Sequence, residues 1–168
     1  MTPIVVEADL TWTGASFEPG LQVVVAEDGR IETVGVPGNI ASHRLRRCAL
    51  LPGFVNAHSH AFQRGLRGHG ERFPAGAGSF WTWREAMYGL VGRLDRATLR
   101  ALSVQASGEM RDAGITTVGE FHYVHHERDD DYALDEVVLE AAAEVGIRIV
   151  LLQTFYASGA VGRPLEGA

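Results

Sequence analysis

Two histidines in one short segment form the clearest chemical pattern in this sequence. His58 and His60 flank Ser59 and directly follow a short apolar run. On a strand, residues i and i+2 project to the same side, so both imidazoles would converge on one point. Imidazole nitrogen is an ordinary ligand of Zn²⁺, and barrel enzymes keep such residues at the carboxyl ends of strands. The pattern indicates a metal site, although two surface histidines beside a turn would show the same isolated motif.

The sequence around His58 and His60 predicts a strand that carries them and the helices that follow it. The apolar run 49–55 is typical of a strand buried on both faces. We expect residues 61–92, which contain several glycines and an aromatic cluster, to form a long loop, and loops of this length are usually functional or disordered. One helix is predicted from the N-cap Asp95 to Gly114 and another over 133–145, each leading into an apolar strand. This alternation predicts an α/β fold with a parallel sheet.

The first fifty residues have a different pattern, with short β-branched runs instead of helical periodicity. Asp28 and Gly29 lie between two such runs and predict a hairpin. The basic patch Arg44–Arg47 is typical of a solvated sheet edge. Cys48 is the only cysteine, which excludes an intrachain disulfide, and we expect it to be a small buried side chain.

The composition and net charge of the chain exclude some classes of binding partner. The chain has 168 residues, of which 46% are hydrophobic, and its net charge is -6. Phosphate binding needs clustered positive charge, so we expect no nucleic-acid partner. No apolar stretch approaches the roughly 20 residues of a spanning helix, and Glu7 and Asp9 stand where a secretory signal would be basic. We therefore expect a cytoplasmic protein that acts on a small molecule, without a membrane partner.

Longer motifs carry a resemblance to a known family. Residues 52–60 read Pro-Gly-Phe-Val-Asn-Ala-His-Ser-His, which is similar to the first-strand motif of the amidohydrolase superfamily. Within that superfamily, residues 60–68, 80–88 and 120–126 resemble the N-formimidoyl-L-glutamate deiminases. The resemblance implies the start of a metal-dependent (β/α)8 TIM-like barrel over residues 50–168. It also implies that residues 1–49 are the N-terminal part of a small β-sandwich domain.

The resemblance also implies roles for individual residues. His58 and His60 would be two of the ligands of one Zn²⁺ per subunit, and Gln63, Arg84 and Tyr123 match substrate-contacting residues. The implied reaction is hydrolytic deimination of N-formimidoyl-L-glutamate to N-formyl-L-glutamate and ammonia, a step of histidine degradation. A guanidinium suits one carboxylate of this small dicarboxylate, while the amide and the phenol can make further hydrogen bonds. A homodimer is left open.

Each of these residues also has a simpler interpretation. Arg84 could stack on a neighbouring aromatic ring, Gln63 could be solvated in a loop, and Tyr123 could lie at the edge of the core. We expect three further histidines beside the acidic run 129–131 to shape a surface loop, and Glu120 to orient a zinc-bound histidine. The three histidines are His122, His125 and His126.

The chain is expected to be incomplete. A (β/α)8 barrel needs about 250 residues, and the glycine-rich tail 157–168 ends without a capping element. The general acid/base of the family would lie beyond residue 168, so we expect the 168 residues alone to be inactive. Two alternatives stay open, namely another amidohydrolase acting on a purine such as guanine or on a triazine, and a non-catalytic metal-binding remnant.

Overall fold

The computed structural model describes residues 3–69, 78–126 and 132–156, together with 158, 162 and 164. The acidic run 129–131 and most of the tail 157–168 lie outside these residues. The chain divides into two compact units, Met1–Pro52 and Gly53–Ala168. Within the described ranges, no helix combines the length and the apolar composition that a membrane crossing requires.

The first unit is built on one sheet, in which the central strand pairs antiparallel with two strands and parallel with a third. Its hairpin turns at Gly29, which has φ +81, and joins two antiparallel strands as the sequence predicts. The assignment of this unit to a β-sandwich stays a prediction. The strands are β1 Ile4–Trp12, β2 Phe17–Glu18, β3 Gln22–Val25, β4 Ile31–Gly35 and β5 His43–Leu50.

Strand β5 corrects the prediction for the single cysteine. Among the described strands, β5 pairs with β1 alone, and nearly all of its side chains are exposed. Cys48 lies near the end of this strand and is exposed, so the prediction of a buried side chain is wrong. The neighbouring Arg44–Arg47 patch made the run polar, which is the pattern of an edge strand.

The second unit is a three-stranded parallel sheet with helices between its strands. The sheet order follows the chain order, which confirms the predicted α/β fold and its parallel sheet. The strands are β6 Phe54–Ser59, β7 Ile115–His122 and β8 Arg148–Gln153, and the helices are α1 Phe80–Val91, α2 Arg96–Asp112 and α3 Ala133–Val145. A 3₁₀ helix, Ala61–Leu66, follows β6 directly.

Helix α2 begins at its predicted N-cap residue, and both α2 and α3 end before the glycines that the sequence predicts. The Asp95 carboxylate accepts a hydrogen bond of 2.7 Å from the Thr98 backbone N–H, so it caps α2. Gly114 and Gly146 follow α2 and α3 with φ +85 and +82, a left-handed conformation that costs glycine little. The apolar faces of both helices are buried in the core that covers the sheet.

Two segments differ from the prediction. Residues 61–92 are not one long loop, since they contain the 3₁₀ helix and α1, while 70–77 lie outside the described residues. Ser79 and Thr82 form a capping box that starts α1. Of the aromatic residues that follow, Trp83 packs against the core, whereas Phe80 and Trp81 are exposed. The apolar run 49–55 is split between β5 and β6. Phe54 and Val55 are 57% and 69% exposed, so this part of the run is not buried on both faces.

We expect Gly119→Ala in the full-length protein to lower the free energy of unfolding by about 1–3 kcal/mol, the usual cost of overpacking. A Cβ at Gly119 would lie 3.0 Å from the carbonyl oxygen of Ala57, the residue before His58. Both partners are backbone on hydrogen-bonded strands, so only a strand shift relieves the contact. Gly108→Ala in α2 is the matched control, because its Cβ would meet nothing within 4 Å. Urea denaturation measures both, and equal stability of the two variants would contradict the prediction.

Candidate metal and substrate site

His58 and His60 converge as the strand pattern predicts. Their Nε2 atoms are 2.9 Å apart, at the point where β6 ends. Two nitrogens bound to one zinc at about 2.0–2.1 Å with tetrahedral angles are separated by roughly 3.3 Å. The observed spacing is close to that value, so the two rings fit a shared Zn²⁺ with little rearrangement.

The structure also determines which nitrogen of the His60 ring carries the proton. His60 Nδ1 lies 2.8 Å from the backbone carbonyl oxygen of Phe121 on β7, an atom that can only accept. Nδ1 therefore carries the proton, and Nε2 keeps the lone pair that faces His58. Burial lowers the pKa of His60 below its ordinary value, although the bond to Phe121 opposes this. The neutral ring, which is the form that binds a metal, is favoured at neutral pH.

Glu120 stabilises the chain beside the two histidines by accepting from a backbone N–H, and not by a hydrogen bond to a histidine ring. Its side chain is buried, and Oε1 accepts a hydrogen bond of 2.6 Å from the Ala61 N–H, directly after His60. Sequence reasoning expected Glu120 to orient a zinc-bound histidine, but the Phe121 carbonyl contacts the His60 ring instead. Burial raises the pKa of Glu120, against the opposing effect of the Ala61 N–H. Glu120 fixes the chain where β6 passes into the 3₁₀ helix.

Gln63 and Tyr123 form one hydrogen-bonded unit beside the histidines. Gln63 Nε2 donates to the Tyr123 hydroxyl over 2.9 Å, and the Tyr123 ring lies 5.4 Å from the His60 ring. Burial raises the pKa of Tyr123, so its phenol stays protonated at neutral pH. Since the hydroxyl oxygen accepts from Gln63, its proton remains available to a ligand, apart from a 3.7 Å contact to Met87 Sδ.

Arg84 reaches the same cavity from helix α1. Its Nε and Nη2 donate to the Tyr88 hydroxyl over 3.0 and 2.7 Å, and its guanidinium lies 5.7 Å from the centre of the Trp81 ring. Arg84 therefore stacks on Trp81 and also lies at the cavity, where the resemblance implies a residue that contacts the substrate. A cavity of about 390 Å³ is lined by all five residues predicted for the site, which are His58, His60, Gln63, Arg84 and Tyr123.

Sequence reasoning missed Tyr88 as part of this cavity. Tyr88 lies four residues after Arg84, and on a helix such residues are neighbours. A spacing of four residues indicates that Arg84 and Tyr88 are neighbours only if the segment is a helix, and the sequence predicted a loop here. Tyr156, which also lines the cavity, lies in the chain just after β8 and has no comparable local signal.

His122 is the last residue of β7, and His125 and His126 follow that strand. The sequence led us to expect that these histidines shape a surface loop, which is wrong for His122 and His125. His122 and His125 are 1% and 7% exposed, and both lie close to the Asp135 carboxylate of α3. Alternate residues of β7 face the helices, so His122 continues the buried side of Val118 and Glu120. Burial lowers the pKa of His122, opposed by the charge of Asp135. His126 is half-buried beside this cluster.

Comparison with known proteins places these residues in context. Residues 49–166 match the model of the amidohydrolase family. Formimidoylglutamate deiminase of Pseudomonas aeruginosa is 38% identical over 143 residues, which is 82% of this chain and 32% of that protein. A 5-methylthioadenosine/S-adenosylhomocysteine deaminase of Archaeoglobus fulgidus is 30% identical over 131 residues, 71% of this chain and 28% of that protein. The chain thus spans about a third of the length of the curated relatives it matches.

Solved structures show the same fold. An amidohydrolase from Brucella melitensis superposes with a TM-score of 0.85 and 29% identity, over 97% of this chain and 38% of that chain. Atrazine chlorohydrolase from Arthrobacter aurescens, complexed with zinc, gives a TM-score of 0.74 at 19% identity, over 89% of this chain and 35% of that chain. These neighbours confirm that the chain has the α/β fold of the amidohydrolases. The assignment of the second unit to the first part of a barrel stays a prediction.

Proposed function

Since the chain belongs to the amidohydrolase family, we propose that the full-length protein is a zinc-dependent deiminase. Its substrate would be N-formimidoyl-L-glutamate, which it would hydrolyse to N-formyl-L-glutamate and ammonia in cytoplasmic histidine degradation. One observation carries the proposal: a single cavity joins two convergent imidazoles to an arginine, a glutamine and a tyrosine. The identity of 38% to a formimidoylglutamate deiminase supports this substrate over others of the family.

In this proposal His58 and His60 hold the metal through Nε2. A bound zinc supplies Lewis acidity that makes a water molecule nucleophilic near pH 7. His60 can bind the metal through Nε2 because its Nδ1 donates to the Phe121 carbonyl, which favours the neutral ring with the lone pair on Nε2. Glu120 holds the Ala61 N–H, so the backbone that carries His60 has a fixed path.

The other side of the cavity recognises the substrate. The Tyr88 hydroxyl accepts from Nε and Nη2 of Arg84, which leaves the two N–H groups of Nη1 and the second N–H of Nη2 to donate to a substrate carboxylate. Gln63 donates to Tyr123, so its Oε1 can accept from the substrate while the phenol donates to it. These groups favour a ligand that carries negative charge beside a group able to both donate and accept.

A substrate comparison with the full-length zinc protein tests the proposal. We expect kcat/KM for ammonia release from N-formimidoyl-L-glutamate to exceed that for guanine by at least about 100-fold, because guanine has no carboxylate to meet Arg84, and a site built to bind a polar group rejects ligands that lack it. Comparable values for a purine substrate would contradict the proposal. They would leave the histidine pair as evidence for an amidohydrolase of different specificity.

A further inference from the structure

A polar network around the buried side chains of His125 and Asp135 lies outside the cavity. His125 Nδ1 is 2.8 Å from Asp135 Oδ1, and His125 Nε2 is 2.8 Å from the Thr154 carbonyl oxygen. Gln153 Nε2 donates to Asp135 Oδ2 over 2.5 Å. The network therefore joins the loop after β7, the first turn of α3 and the end of β8.

Both ring nitrogens of His125 are engaged in hydrogen bonds in this network. The Thr154 carbonyl can only accept, so His125 donates to it from Nε2, while Nδ1 is hydrogen-bonded to the Asp135 carboxyl group. A metal ligand would need a free lone pair on one of these nitrogens. Asp135 also lies in the first turn of α3, where the helix dipole stabilises a negative charge.

The network also fixes the segment that carries Tyr123. The His122 carbonyl accepts from the Thr154 N–H over 2.9 Å, and the His125 carbonyl accepts from the Leu134 N–H over 3.1 Å. Tyr123 lies between these two anchors, and its ring projects towards Gln63 on the opposite side of the strand. Any displacement of the His125 end would move the phenol relative to Gln63.

We propose that His125 and Asp135 are positioning residues, which hold the Tyr123 hydroxyl in place for substrate through the buried hydrogen bond between them. The inference rests on the proposed function only in assigning Tyr123 to substrate binding. Neither side chain lines the cavity, so their effect must pass through the segment between them and Tyr123.

A double-mutant cycle in the full-length protein tests this coupling. We expect Asp135→Asn to lower kcat/KM about 10-fold in the native background but less than about twofold in a Tyr123→Phe background, because no hydroxyl remains there to be misplaced. Glu136→Gln is the matched control, since Glu136 is an exposed acid in the same first turn of α3. It should leave both backgrounds unchanged. An equal loss from Asp135→Asn in both backgrounds would overturn the proposal.

Two further measurements keep the test decisive. Gln153→Met removes only the amide that holds Asp135 Oδ2, and it replaces Asp135→Asn in the cycle if that variant does not fold. Metal analysis should give the same zinc content with and without Asp135→Asn. Loss of a metal ion would overturn the proposal by showing that the cluster binds a cation.

A crystal structure of the full-length Asp135→Asn protein gives a readout independent of activity. The distance from Tyr123 hydroxyl to Gln63 Nε2, 2.9 Å in the native chain, should lengthen beyond hydrogen-bond range. An unchanged distance would overturn the positioning role. If the native protein does not hydrolyse N-formimidoyl-L-glutamate, the proposed function fails, while this structural comparison still decides whether the network positions Tyr123.

Discussion

His58→Ala in the full-length protein is expected to remove zinc and to lower deiminase kcat/KM by more than about 1,000-fold, since a metal supplies several kcal/mol and each 1.36 kcal/mol is a factor of ten. The His58 and His60 Nε2 atoms, 2.9 Å apart, face one point, so either truncation leaves the metal with one ligand fewer. His60→Ala should behave in the same way. Metal analysis after dialysis and ammonia release measure the two effects.

His43→Ala is the control for this prediction. His43 is exposed on β5 in the first unit, so its loss should change neither zinc content nor activity. Full zinc occupancy in His58→Ala or His60→Ala would exclude a ligand role for that histidine. Lost activity with retained zinc would instead assign the residue to substrate binding.

Elements with strong local signals could be predicted from the sequence. Helix α2 has a capping aspartate at one end and a glycine with positive φ at the other, and both act within a few residues. The convergence of His58 and His60 is equally local, because it depends on the alternation of side chains along a strand. The weaker start of α1, a serine–threonine capping box after a glycine-rich segment, was overlooked.

Features that depend on distant contacts could not be predicted. His125 is buried because α3 brings Asp135 against it, and β8 then supplies Gln153 and Thr154. Similarly, the acceptor for the His60 ring is a backbone carbonyl that lies 61 residues further along the chain. A sequence pattern shows which side chains can pair, whereas strand register determines which ones meet.

Arg84→Met in the full-length protein is expected to lower kcat/KM for N-formimidoyl-L-glutamate by roughly 10- to 150-fold. The substitution removes a charge-assisted hydrogen-bonded pair with a substrate carboxylate, which contributes about 1.5–3 kcal/mol. Zinc content should stay unchanged, because Arg84 lies on α1 and the ligand pair at the end of β6. Steady-state ammonia release and metal analysis together measure the effect.

Two variants separate recognition of the carboxylate from packing. Arg84→Lys should recover only part of the loss, because an ammonium keeps the charge but not the planar fork. Tyr88→Phe keeps the guanidinium and the ring beneath it, and removes only the hydroxyl that accepts from Nε and Nη2. We expect Tyr88→Phe to raise KM more than it lowers kcat, since it loosens a binding group without altering the metal site.

The opposite pattern would follow if Arg84 only stacks on Trp81 and Tyr88. Arg84→Met would then lower Tm while kcat/KM stayed within about threefold, less than 0.7 kcal/mol on the same scale. Arg84→Lys would retain activity equally well, because no planar fork would be needed. That result would remove the main structural argument for an acidic substrate. It would leave intact the assignment of His58 and His60 to the metal, because zinc content reports on the histidine pair independently of Arg84.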